Sequence, residues 1–393
     1  MKRTNITVAI TALCLLILFA VYYQPWRPQE DTSALVIGFL FENDESTPAT
    51  TNLILAMEEV ARQYPEDVII LSQNNVLPAE AVDPLEEMIN KGCTLIFTNS
   101  HSTQIAEVAV HYPEVTICQQ SFNGSNDLNA PSNFHTFNAQ LDQGYYLGGI
   151  AAALKLSSLP STGSAPLIGF VGSYPDPEVL SAASSFLLGV RSLLPDAEMR
   201  LRFTKAYSSF SREKASAAAL IEEGCRIIAQ HSGTLGPAIA CEEAAAGEHS
   251  AYHVGLHVSM IDSAPTTTLL SIRMDYTPYV LGVVRAVFDK KSIEKSVPGK
   301  VKGNDISAGI DQNWVELMEL NRSIIADRTE DILNQNIELM NKGRLTVLKG
   351  NYTGHSPENS SDTCTLSNGY LEYNDYSYPS YHYLLDGIMQ LSE

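Results

Sequence analysis

Short apolar runs alternate with longer amphipathic stretches along most of this chain, and the alternation is interrupted once. Residues 34–40 (ALVIGFL), 67–71 (DVIIL), 94–98 (TLIFT) and 114–118 (EVTIC) are rich in β-branched and aromatic residues. Residues 52–63, 79–90 and 104–111 lie between them and carry apolar residues at helical spacing. The order βαβαβαβ with near-continuous apolar strands predicts a parallel sheet covered on both faces, with right-handed crossovers. The same rhythm restarts at 167–171 (LIGFV). It runs through a helix over 177–194, a strand over 199–204, a helix over 212–223 and a strand over 226–230. A helix over 237–246 and strands over 252–256 and 267–272 complete it.

Between the two series lies the stretch 134–173: a strand (134–138, FHTFN), a helix (139–155), a linker rich in Ser, Pro and Gly (156–166), then the first strand of the second series. The pattern predicts an α/β protein of two Rossmann-like lobes with parallel sheets, joined by a hinge. In the helix, Leu141, Tyr145, Ile150 and Leu154 form an apolar stripe. Gly144 and Gly148 share a face. A helical glycine costs about 1 kcal/mol against alanine, so the pair is expected to admit another backbone at close range. Further on, 276–289 reads as a helix returning to the first lobe, 304–310 as a strand, and 324–341 as the last long helix. The expected division is a signal anchor and tether (1–33), an N-terminal lobe (34–156 with about 274–320), a C-terminal lobe (157–273 with about 321–350) and a tyrosine-rich extension (351–393). Repeated crossing makes the hinge several strands wide and favours clam-shell closure. The tyrosines of the extension are expected to pack against the lobes; a sugar-binding aromatic strip is the alternative.

Composition narrows the picture. A net charge of −20 over 393 residues argues against a nucleic-acid partner. The six cysteines form no C-x-x-C pair, so a disulfide framework is not expected, and Cys93, Cys118 and Cys225 read as buried thiols. Lys2 and Arg3 precede an apolar run over 6–23, which is followed by Glu30 and Asp31. That asymmetry orients the bulk of the chain outside the cytoplasm. No small-x-small cleavage site ends the run. It reads as a retained signal anchor in the cell membrane, with a cleaved signal or a lipoprotein at Cys14 as alternatives.

Ligands of such sheets bind beyond the carboxyl ends of the strands. The loops there are 41–47, 99–102 and 119–126, all polar, with Asn138 at the end of its strand, and 172–177, 206–211, 230–236 and 257–262 in the second series. No G-x-S-x-G, P-loop or dinucleotide fingerprint is present. His253 and His257 on one strand would stand about 13 Å apart, too far to share a metal. The adjacent pair His231 and Ser232 does not by itself make a hydrolase. No catalytic residue, metal or cofactor is expected.

In order and spacing these segments resemble the basic membrane protein family of type I solute-binding proteins, which includes purine nucleoside receptors and a membrane-bound competence regulator. The family's Gly-Tyr-Leu-Ala-Gly helix is matched at 144–148, its Gly-aromatic-Val-Gly-Gly strand at 168–173 and its Tyr-x-x-Ser-Phe turn at 207–210. Its Gln-x-x-Gly-Gly-x-Gly loop is matched at 230–236, and its Gly-Val-Asp strand end at 255–257. The resemblance runs from about residue 34 to 290. It implies the type I periplasmic-binding-protein fold, a monomer, and capture of a small nucleoside-like ligand or other flat heterocycle between the lobes for an ABC permease. A ligand-sensing regulator with a membrane signalling partner is the alternative. The site it implies, taken with the loops, is Asn43, Asp44, Asn99, His101, Phe210, Gln230 and His257. Arg273 is the basic residue nearest the family's lysine, one position out of register. Two departures matter. Residues 44–48 lack the aromatic of the family's first loop, and its Gly-Val-Asp carboxylate is His257 here. A hydrogen bond to a charged group is worth about 1.5–3 kcal/mol, so a standard nucleoside would lose that contact. Phe210 retains an aromatic for stacking.

Overall fold

The computed structural model describes residues 34–125, 130–160, 163–247, 250–359 and 361–391. The expected anchor, its tether and Cys14 lie outside the described residues. Among those described, no helix is long and apolar enough to cross a membrane.

In chain order the first lobe begins β1 (Leu35–Leu40), α1 (Pro48–Gln63), β2 (Val68–Gln73), α2 (Val82–Asn90), β3 (Leu95–Thr98), α3 (Ile105–His111), β4 (Thr116–Gln120) and β5 (Phe134–Ala139). Then follow α4 (Leu141–Ser158), β6 (Leu167–Gly172), α5 (Pro177–Arg191), β7 (Glu198–Phe203), α6 (Phe210–Glu222) and β8 (Ile227–His231). The second lobe continues with α7 (Gly236–Ala244), β9 (Tyr252–Leu256) and β10 (Thr268–Met274). The return to the first lobe is α8 (Thr277–Phe288), α9 (Ile293–Ser296), β11 (Lys300–Lys302) and β12 (Asp305–Ala308). The chain then adds β13 (Val315–Leu317) and α10 (Thr329–Asn341). The extension holds β14 (Thr353–His355), β15 (Thr363–Thr365), β16 (Leu384–Leu385) and β17 (Ile388–Gln390).

Two separate sheets result. The first has the order β11-β12-β5-β4-β3-β1-β2 and the second β13-β10-β9-β8-β6-β7-β17. In each, five strands are parallel, as the two hydrophobic series predict, and the two sheets repeat one order, 2-1-3-4-5. The chain crosses between lobes after β5, after β10 and after β12. One core runs through both lobes, taking in Phe39, Phe97, Phe137, Tyr279, Phe170 and Phe186. Smaller cores cover the far face of each sheet.

Several expectations need adjustment. Helix α4, assigned above to the first lobe, lies against β10, β13 and α5 of the second, so the first crossing falls at residues 139–141. Strand β13 pairs antiparallel with β10, so 315–320 belongs to the second lobe. The close backbone approach is made by Gly149, not by Gly144 or Gly148. A Cβ on Gly149 would lie 2.2 Å from the Phe186 carbonyl, and one on Gly189 2.0 Å from that of Tyr146. Gly144 and Gly148 instead face the side chains of Ile272, Val315 and Val254. Helix α10 starts at Thr329 rather than 324. Arg328 sits in the left-handed region (φ 62°). The Asn321 carboxamide, bonded to the carbonyls of Pro265 and Thr268, holds the preceding turn apart. Cys93, Cys118, Cys225 and also Cys241 are buried free thiols, and Cys364 is free and half-buried.

Candidate functional site

The carboxyl ends of the two sheets face each other across a cavity of about 460 Å³. A larger groove of about 720 Å³ runs beside α10. Its walls are β13, the turns beside it and α10, with Ile261 alone from a strand-end loop, whereas strand-end loops of both sheets converge on the interlobe cavity, which is therefore the candidate site.

On the first-lobe side, Asn99 follows β3 and its Oδ1 accepts from the Glu42 backbone N–H at 3.0 Å, coupling two strand ends. Glu42 reaches His101 through Nδ1 at 2.7 Å and also accepts from the His101 backbone N–H at 3.1 Å. Partial burial opposes charge on both groups. Their mutual attraction outweighs it, holding the Glu42 carboxyl below and the His101 imidazole above their ordinary values. The His101 ring stacks on Tyr207 of the second lobe, centroids 5.6 Å apart and planes 19° apart, and meets the edge of Phe122. That stack joins the two lobes at the exposed edge of the cavity.

On the second-lobe side, Asp176 caps α5 by accepting from the Val179 N–H at 3.1 Å, and Pro177 occupies the first turn. Glu178 follows at a helix N-terminus, where negative charge is favoured. Burial and the neighbouring Glu178 push Asp176 up to about 6. Burial acts against Glu178 too, but hydrogen bonding from His231 outweighs it, with help from Asn138 and His101, so its carboxyl stays below the ordinary range. His231 in turn has Nδ1 3.2 Å from the Tyr145 hydroxyl, which itself donates to the Gln230 carbonyl at 2.7 Å.

His257 occupies the floor in a left-handed conformation (φ 72°), a costly state for a non-glycine residue that neighbouring contacts must hold. Across the cleft, the Asn52 carboxamide donates to the carbonyls of His257 (3.2 Å) and Met274 (3.1 Å). It accepts from His257 Nδ1–H at 3.0 Å. Burial holds the His257 imidazole neutral, with its pKa down to about 3.

Of the seven residues expected at the site, Asn43, Asn99, His101 and His257 line the cavity. Asp44, Phe210 and Gln230 do not. Asp44 turns outward to accept from Ser46 and from Asn75 Nδ2 at 3.1 Å, fixing its own loop. Gln230 is wholly buried. Its Nε2 donates to the carbonyls of Ser232 (3.0 Å) and Thr234 (2.8 Å), and its Oε1 accepts from His253. Phe210 is half exposed because α6 begins at Phe210, two residues earlier than periodicity placed it, and carries the ring away. Tyr207, earlier in the same turn, supplies the aromatic instead. The signal was present: Ser209 is a capping-type residue, and Glu213 four positions on accepts from its N–H at 2.8 Å. Arg273 pairs with Glu316 and lies outside the lining. Sequence reasoning also passed over Glu42, Asp176, Glu178, Phe122, His231 and Tyr378, which all line the cavity.

Ser232 Oγ donates to buried Glu213 at 2.9 Å rather than to His231, and Glu213 also accepts from the Thr234 N–H and hydroxyl, which fixes the 230–236 loop. Among the described residues no cluster of His, Cys, Asp and Glu is placed to hold a metal.

Comparison with known proteins agrees with this architecture. A purine-binding protein of Brucella abortus is 28% identical over 213 residues, 54% of this chain and 56% of that protein. A putative ABC transporter glucose-binding protein of Haloferax volcanii is 26% identical over 157 residues, 39% of this chain and 37% of its own length. The matches thus span about half or less of these relatives. Among solved structures, a solute-binding protein of Aeropyrum pernix superposes with a TM-score of 0.64 at 17% identity, covering 79% of this chain and 92% of the other. A transcriptional activator of the comK gene from Bacillus halodurans gives 0.59 at 16% identity, covering 78% and 98%. These likenesses show the type I periplasmic-binding-protein fold. The family described as ABC transporter substrate-binding protein, PnrA-like, matches residues 42–345, and this chain belongs to it.

Proposed function

We propose that this chain is an extracytoplasmic solute receptor, tethered at the membrane by its N-terminal segment. It captures a small, uncharged or cationic ligand with one flat face and presents it to the permease of an ABC importer. The observation that carries the reading is the chemistry of the interlobe cavity. Its described lining includes the carboxylates Glu42, Asp176 and Glu178 and no lysine or arginine. Carboxylates and amides in a partly dry cleft accept strongly from hydroxyl and amino donors. An anionic ligand would meet like charge, and the cationic His101 of the lining is already paired with Glu42, so desolvating an anion there is costly. Nucleosides, nucleobases and sugars therefore fit, and nucleotides and sugar phosphates do not. The rings of Tyr207, His101 and Phe122 offer faces and edges to a planar ligand. The volume suits a small molecule. The names of the Brucella and Haloferax relatives, purine-binding and glucose-binding, support a ligand of this uncharged, donor-rich kind. Lys2 and Arg3 ahead of the apolar run, with Glu30 and Asp31 after it, support the extracytoplasmic placement.

Thermal denaturation with adenine, adenosine, guanosine, riboflavin, D-glucose and AMP tests the reading. One uncharged compound is expected to raise the melting temperature by several degrees, because saturation at ~100 times Kd adds about 2.7 kcal/mol. AMP is expected to leave it unchanged. No shift with any uncharged compound, or a shift with AMP alone, overturns it.

A further inference from the structure

The family match ends at residue 345, yet the chain beyond it is built into the cleft. Its far end is fixed to the second lobe: β17 extends that sheet, in parallel register with β7, at Ile388 opposite Met199. Arg191 of α5 holds the preceding turn by donating to the Asp386 carbonyl at 2.7 Å. Its near end is fixed there too, where the Arg191 guanidinium lies over the Tyr352 ring at 5.0 Å. Between these anchors the segment 370–383 climbs along α5 and touches the first lobe.

Glu372 is the pivot. It accepts from the Ser181 hydroxyl of α5 at 3.0 Å and from the backbone N–H of Tyr381 at 3.0 Å, closing the loop upon itself. The Tyr373 hydroxyl accepts from the Leu141 N–H, the first of α4, at 3.1 Å. On the first lobe, the Ser377 N–H donates to Asp305 of β12 at 2.5 Å, and the Ser377 hydroxyl meets that of Ser121, just past β4. Tyr378 comes next. It is buried and lines the cavity together with Glu178 of α5. Pro379 restricts Tyr378 to extended backbone, which keeps the tip from curling away.

We propose that residues 370–383 form a built-in strap that ties the two lobes together along one side of the cleft, and that Tyr378 at its tip is a ligand-contacting residue that sets the size of what fits. The strap crosses beside the hinge, where α4 enters the second lobe, and so forms a third wall that neither lobe supplies. The ligand role rests on the solute-binding reading above; the tie between lobes does not.

Two measurements on the full chain test the halves separately. In the double variant Ser121→Cys/Ser377→Cys, air oxidation without ligand is expected to form the cross-link, found by peptide mapping as the 121–377 pair. Failure to form it overturns the strap. Titration calorimetry of wild type, Tyr378→Phe and Tyr378→Ala with adenine, adenosine and D-glucose reads the second half. Phe keeps the wall and is expected within about threefold of wild type. Ala is expected to weaken the tightest probe by about tenfold or more and to change the ratio of affinities among the probes. A loss of stability alone would not move that ratio. Unchanged affinities and ratio in Tyr378→Ala, with wild type binding, overturn the role of Tyr378 and leave the solute-binding reading standing. A wild type that binds none of the three, with the cross-link formed, counts against the role of Tyr378 and the solute-binding reading together.

Discussion

Asp142 shows how one residue can oppose the fold it sits in. It lies in the first turn of α4, buried, with Oδ1 lacking any partner. Burial and the neighbouring Glu372 push its carboxyl up to about 8, against the pull of Lys300. In the unfolded chain the same group titrates near 4. Between pH 4 and 8 the folded state therefore holds a proton that the unfolded state has released, and stability falls as pH rises. Asp142→Asn removes that loss. It is expected to stabilise the protein by a few kcal/mol at pH 8 and to change little at pH 4, read by denaturant unfolding at both values. Equal effects at the two pH values would exclude a buried neutral acid. Phe210 and Tyr207 show the limit of reading single residues from the chain. Both are aromatics in one turn, and the choice between them depends on where α6 starts, a matter of two residues. Asp44 and Asn43 differ in the same way: they are adjacent in the bend after β1, and only Asn43 lines the cavity, while Asp44 holds its own loop.

At the scale of elements, the contact between α4 and α5 determines how the first crossing is docked. Gly149 and Gly189 let the two backbones touch, and a methyl group at either would meet a carbonyl oxygen of the other helix. Gly149→Ala is expected to destabilise by about 2 kcal/mol or more through overpacking, despite alanine's better helix propensity. Gly144→Ala meets side chains at 2.5 and 2.9 Å and is expected to cost less, because side chains can turn aside where backbone cannot. Urea denaturation of the two variants checks the order. Parallel strands and amphipathic helices were legible because short continuous apolar runs and a 3.6-residue period are written in the chain. The partner of each face was not. Periodicity places three glycines in α4 and cannot say which of them meets a backbone, nor that three-residue β13 leaves the first lobe for the second.

At the scale of the molecule, the lobes are tied by the His101–Tyr207 stack, the Asn52–His257 bonds and the 370–383 strap. Ligand can shift closure only by its differential affinity for the closed form. Removing the His101–Tyr207 contact with Tyr207→Ala is expected to raise the radius of gyration of the ligand-free protein in X-ray scattering and to weaken binding by roughly tenfold, the stack being worth about 0.5–1.5 kcal/mol before any contact with ligand. An unaltered scattering curve together with unaltered binding would show that the stack does not govern closure. The amino-acid order by itself determined two α/β repeats with parallel sheets and the polar loops that end their strands, because local periodicity and chain handedness leave few alternatives. Which loop residues converge, which carboxylates stay charged and where the tyrosine-rich extension runs were decided only in three dimensions. Those properties depend on distances between residues far apart in the chain, such as Ser121 and Ser377, and on the water that packing removes from between them.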